Sequence, residues 1–138
     1  MINLLKKYWL SILVLIIIFI GCLMNTAPLP EPPPVMNFDK IVHSILFAGL
    51  AGVLFFDSTR YLRLSITKIR IFLLIFLFPV AIGGFIEIVQ ESKIFTKTRS
   101  GDWFDFLFDV LGALVGWGIA LIINHWLPKR ESKLKVLE

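Results

Sequence analysis

The sequence predicts an all-α polytopic membrane protein, a single bundle of four transmembrane helices with both termini cytoplasmic. Three observations predict it. Hydrophobic residues make up 57% of the 138 residues and the mean hydropathy is +0.84, well above the roughly 45–50% apolar content of soluble domains. The apolar residues gather in four runs near the length a membrane helix needs, about 20 residues at about 1.5 Å each across roughly 30 Å of hydrocarbon. Lys and Arg residues sit in short clusters flanking those runs rather than along one amphipathic face. Membrane orientation therefore explains the net charge of +4 better than nucleic-acid binding does.

The first span, residues 8–24, follows Lys6 and Lys7 and opens with Tyr8 and Trp9, aromatic residues suited to the interface. Ile20-Gly21-Cys22 faintly resembles a lipoprotein processing site, but Phe19 fits that pattern poorly and the run reads as a span. Cys22 is the single cysteine, so the chain offers no intramolecular disulfide and no cysteine-based metal site. Residues 25–38 hold Pro28, Pro30, Pro32, Pro33 and Pro34. Proline lacks a donor and clashes with the preceding turn, so this stretch reads as an extended extracytoplasmic connector. The second span, residues 41–56, is short and carries His43 near its start. The third, residues 71–90, is interrupted by Pro79 and Gly83-Gly84. The fourth, residues 103–123, begins at Trp103, and residues 124–138 form a polar cytoplasmic tail with Trp126 near its start.

Orientation follows from the Lys and Arg count in the short flanks. Lys6, Lys7, Arg60, Arg63, Lys68, Arg70, Lys129, Arg130, Lys133 and Lys135 give ten on one side; Lys40, Lys93, Lys97 and Arg99 give four on the other. The richer side is cytoplasmic, which puts both termini inside.

This topology gathers polar side chains at the outer ends of three spans. Asp39, Lys40 and His43 start the second, Glu87, Gln90 and Glu91 end the third, and Arg99, Asp102, Asp105 and Asp109 lead into the fourth. The cytoplasmic halves read as almost purely apolar. Within each set the spacings of three and four put the residues on one helix face. Those faces must point inward, since a carboxylate facing lipid near the bilayer centre costs roughly 2.5–3.5 kcal/mol. Gly112-x-x-x-Gly116, Ala48-x-x-x-Gly52 and Gly83-Gly84 supply flat strips for close helix packing.

Three stretches, Asn37-Phe38-Asp39-Lys40-Ile41-Val42-His43, Gly84-Phe85-Ile86-Glu87-Ile88-Val89-Gln90 and Arg99-Ser100-Gly101-Asp102-Trp103-Phe104-Asp105 continuing to Asp109 and Gly112, together resemble the VanZ-like family of small bacterial membrane proteins. The resemblance covers nearly the whole chain. It implies the four-span fold and this polar site, and it carries the founding member's association with teicoplanin resistance.

Two functional readings remain open. In the first the protein is an enzyme acting on a lipid-linked or cell-envelope substrate at the outer leaflet. His43 is then general base or nucleophile, Asp39 or Asp105 orients it, and Glu87 is a second acid. Lys40 and Arg99 hold an anionic head group, with Gln90, Asp102 and Asp109 also lining the substrate site. In the second the same pocket binds an envelope lipid or antibiotic without catalysis, or only fixes the helices. The carboxylates with His43 also admit a divalent metal, Mg²⁺, Ca²⁺, Mn²⁺ or Zn²⁺.

Overall fold

The computed structural model describes residues 4–23, 38–60, 65–92 and 101–128, with the side chains of residues 38 and 39 left out. Most of the proline-rich connector and of the polar tail lies outside the described residues. Among these, the regular structure is entirely helical. The helices are α1 (Leu4–Lys7), α2 (Trp9–Leu23), α3 (Phe38–Thr59), α4 (Lys68–Glu91) and α5 (Trp103–Trp126). Three of them, α3 from Lys40, α4 and α5, are long and apolar enough to cross a membrane. The first apolar run gives only the 15 residues of α2, about 22 Å of helix.

Helix α3 lies at the centre of the bundle. Its buried residues His43, Phe47, Leu50, Leu54 and Asp57 recur at steps of four and three, so one inward stripe carries an apolar middle with a polar group at each end. The helix is longer than the span expected at 41–56. Its last turn contains Asp57, Ser58 and Thr59, and the two hydroxyls stay compatible with helix by bonding back to the carbonyls of Leu54 and Phe55 at 2.7 and 2.9 Å.

Helix α5 presses closely on α3. Added Cβ atoms would overlap the Ser44 carbonyl at Gly112 and lie 2.5 Å from Ala51 Cβ at Gly116, so only glycine permits this separation of the two backbones. The strip expected at Ala48 and Gly52 is half realised. Ala48 meets Gly116, whereas Gly52 is exposed and a Cβ there would touch nothing within 4 Å.

Helix α4 is continuous across Pro79, where the sequence suggested an interruption. The turn before it, Phe72–Leu77, widens to a π-helix. Proline cannot donate to the carbonyl of Ile75 and its ring crowds that carbonyl; a locally wider turn removes the conflict without ending the helix. The widened turn carries Phe72 and Phe76, which pack at 6.4 and 5.8 Å from Trp117 on α5.

The end of the bundle opposite His43 is not purely apolar, as the sequence suggested. Asp57 is fully buried there. Its Oδ2 accepts from the Ser11 amide at 3.0 Å and the Ser11 hydroxyl at 2.8 Å, and its Oδ1 lies 3.3 Å from Arg60 Nη1. Arg60 Nη2 in turn donates to the carbonyls of Lys6 and Lys7. In an unbroken helix the Lys7 carbonyl would accept the Ser11 amide. Here the chain breaks at Tyr8 between α1 and α2, and Asp57 and Arg60 take over both halves of the lost bond.

Candidate functional site

The inward faces of three helices converge at the start of α3, the end of α4 and the start of α5. Such convergence requires α3 and α5 to run the same way, with α4 opposed. The Asp109 carboxylate accepts or shares a proton with His43 Nδ1 at 2.9 Å. A nitrogen of His43 and one carboxylate oxygen each from Glu87 and Asp109 lie within 4.8 Å of one another. His43 is 3% exposed, Glu87 5% and Asp109 0%, so this trio is withdrawn from solvent and lipid alike.

Local sequence explains how each group arrives. His43 begins the inward stripe of α3. Asp109 lies three residues before Gly112, on the face of α5 that touches α3, and Gly83 makes room for it: a Cβ at residue 83 would sit 2.8 Å from Asp109 Oδ2. Glu87 stands one turn beyond Gly83 on the same face of α4. Glu87 Oε2 accepts the backbone amide of Asp102 at 2.7 Å, which ties the end of α4 to the start of α5.

Around this trio lies a more exposed ring. Asp102 is the N-cap of α5, its side chain accepting the Phe104 amide at 2.8 Å. Lys40 Nζ bridges Asp102 at 3.1 Å and Asp105 at 2.9 Å. The Phe104 amide, then the Lys40 ammonium, hold the Asp102 carboxyl below the usual carboxylate range. Gln90 points elsewhere, donating to the Cys22 carbonyl on α2 at 2.9 Å.

The structure thus brings together His43, Glu87 and Asp109, with Lys40, Asp102 and Asp105 beside them. The His43 ring is held by Asp109, while Asp105 is engaged by Lys40. Gln90 serves the contact with α2. Asp39 starts α3, but its side chain is outside the described part, and Arg99 is outside the described residues altogether. The sequence reading did not single out the pairing of Asp109 with His43, although a signal for it existed: Asp109 shares the 3-and-4 stripe of Gly112 and Gly116, and so had to face the neighbouring helix.

Two carboxylate oxygens of the trio, Glu87 Oε1 and Asp109 Oδ2, are buried with no hydrogen-bond partner among the described residues. A groove of about 360 Å³ opens beside Glu87, with Asp102 and Trp103 among its other lining residues. The arrangement provides an imidazole held by one acid, and a second acid within reach that borders an opening.

Fold and site together define an all-helical membrane protein with a buried imidazole–carboxylate centre where its three long apolar helices meet. The chain belongs to the VanZ/LLP1 family, whose profile matches residues 2–124. No curated protein and no solved structure matches the chain.

Proposed function

We propose that this VanZ-like protein sits in the cytoplasmic membrane with four spans and both termini inside, and acts on or binds the polar head of a cell-envelope or lipid-linked substrate at its outer end. The observation that carries this reading is the buried His43–Asp109 pair with Glu87 beside it at the mouth of a groove. Intramembrane acids are expensive to keep, and Glu87 Oε1 and Asp109 Oδ2 have neither a hydrogen bond nor a cation among the described residues, unlike Asp57 Oδ1 beside Arg60. His43, oriented through Nδ1 by Asp109, is the general base, and Glu87 is the second acid. In the same reading Asp39 helps to orient His43, Arg99 adds a cation for the anionic head group, and Trp103 supplies an interfacial wall. The uneven flanking charge, ten Lys and Arg against four, supports the orientation.

The second reading, a non-catalytic envelope-lipid or antibiotic-binding membrane protein with a structural polar cluster, is favoured by the satisfied polar residues around the trio. Lys40, Asp102 and Asp105 pair with one another and Gln90 bonds to α2, so these four join helices already. Both readings carry the family's association with teicoplanin, and one set of strains distinguishes them from a structural role. Expression of the wild type is expected to raise teicoplanin tolerance, and His43→Ala and Glu87→Gln to abolish the effect while the protein still accumulates in the membrane. Native mass spectrometry of the same variants is expected to show loss of a co-purifying lipid. Equal lipid retention and equal tolerance in all three proteins would overturn the proposed site.

A further inference from the structure

We infer that His43, Glu87 and Asp109 form a binding site for one divalent transition-metal cation, Zn²⁺ above all. The donor set is one imidazole nitrogen and two carboxylates, each from a different helix, with donor atoms already within 4.8 Å of one another. The His43 Nδ1 to Asp109 Oδ1 separation of 2.9 Å is a few tenths of an ångström short of the roughly 3.3–3.6 Å that tetrahedral ligands keep at about 2.0–2.2 Å from one ion, so a small opening of the pair admits the ion. The proton shared by that pair occupies the place a metal would take.

Charge carries the argument further. Among the described residues at this end of the bundle, one ammonium, Lys40, stands with five carboxylates, Glu87, Glu91, Asp102, Asp105 and Asp109. Lys40 is committed to Asp102 and Asp105. The two deeper acids are left with His43, and imidazole ligates metals in its neutral form. A divalent cation brings two positive charges to two buried negative ones, which removes the main penalty of burying them. It also accounts for Glu87 Oε1 and Asp109 Oδ2, both of residues more than nine-tenths buried and both lacking a partner among the described residues. Glu87 Oε2 and the Asp102 amide supply an outer hydrogen bond of the kind that fixes a ligating carboxylate.

Three protein ligands leave a tetrahedral ion with one open position. Glu87 also lines the groove, which gives a ligand lying there an approach to the site on the Glu87 side. An acidic site repels an anionic head group; the same site loaded with a cation accepts a phosphate oxygen. This last step rests on the reading under Proposed function, whereas the ion does not.

The test is metal stoichiometry of the purified full-length protein. After chelator treatment the protein is dialysed against ZnCl₂, MnCl₂ or MgCl₂ in separate arms, and bound metal is counted by mass spectrometry. The wild type is expected to hold about one Zn²⁺ per chain, less Mn²⁺ and least Mg²⁺, following donor softness. Glu87→Gln and Asp109→Asn keep side-chain volume and are expected to weaken Zn²⁺ binding by roughly tenfold or more. His125→Gln, an exposed imidazole at the opposite end of the bundle, is expected to bind as the wild type does. Circular dichroism and a monodisperse elution profile check that each variant is folded. No bound Zn²⁺ in the wild type, or equal binding in both isosteric variants, overturns the inference. Zn²⁺ binding without any co-purifying lipid would leave the metal site standing and remove the lipid reading instead.

Discussion

At the Asp57 end of α3 a buried carboxylate is surrounded by donors: the Ser11 amide, the Ser11 hydroxyl and the Arg60 guanidinium. Asp57 Oδ1 makes no hydrogen bond but has the Arg60 cation at 3.3 Å, whereas at the His43 end, fourteen positions and about 21 Å away along the same helix, Glu87 Oε1 and Asp109 Oδ2 have neither hydrogen bond nor cation among the described residues. The two ends share a helix, a stripe and a degree of burial. They differ in charge compensation. A buried carboxylate already paired with a cation joins elements together; one whose oxygen has neither donor nor cation is a place where something else fits. This contrast, rather than burial or acidity as such, separates the joint at Asp57 from the candidate site at His43.

The sharpest way to break the comparison is to remove the compensated end. Asp57→Ala leaves the Ser11 donors and the Arg60 guanidinium without their acceptor and is expected to cost about 3–5 kcal/mol, the usual loss when one partner of a buried ion pair is deleted. Thermal melting in detergent and the amount recovered from membranes both read it. A variant that melts and accumulates like the wild type would show that the joint between α2 and α3 holds nothing.

The opposite end is expected to respond the other way. With chelator present, Glu87→Gln removes a buried charge while keeping an oxygen for the Asp102 amide, and is expected to hold or raise stability by about 1 kcal/mol. Added Zn²⁺ should then stabilise the wild type and leave the variant unmoved. A loss as large as that of Asp57→Ala would make Glu87 a second joint and erase the distinction.

The smallest effect concerns the ring between lipid and core. The Asp102 carboxyl is held below its ordinary value of 3.8 by the Phe104 amide and Lys40. Its contribution is therefore present above about pH 4 and is lost as pH falls through the lowered value. Asp102→Ala is expected to cost about 1 kcal/mol, mostly as a lost helix cap, with the difference from wild type constant near neutrality and shrinking in acid. Melting curves between neutral and acidic pH would show it. A difference that grows on acidification would contradict the sign of this shift.

Much of the helical architecture was legible because helix length and lipid thickness are set by the same few dimensions. The long apolar runs of α3, α4 and α5 exceed what a soluble helix needs, and Gly112 with Gly116 marks the face that meets another backbone. Less visible was the continuity of α4. Proline forbids one hydrogen bond, but whether the chain kinks, stops or widens depends on neighbours such as Trp117, which no local pattern contains. Asp57 was overlooked for a related reason: an acid near a span end beside Arg60 looks like ordinary solvated charge until Ser11 is seen to face it.

By itself the sequence determined roughly where the long apolar helices run, and that His43, Glu87 and the acids of α5 fall at matching ends of their helices. Periodicity and the cost of placing charge in lipid suffice for that, since both act within a single helix. Only the tertiary structure decided that Asp109 rather than Asp105 meets His43, that Lys40 closes on Asp102 and Asp105, and that Gln90 turns away to Cys22. Those choices depend on rotation of one helix against another by a fraction of a turn, and that rotation is set by the contact of Gly112 with the Ser44 backbone and by the space Gly83 leaves for a carboxylate.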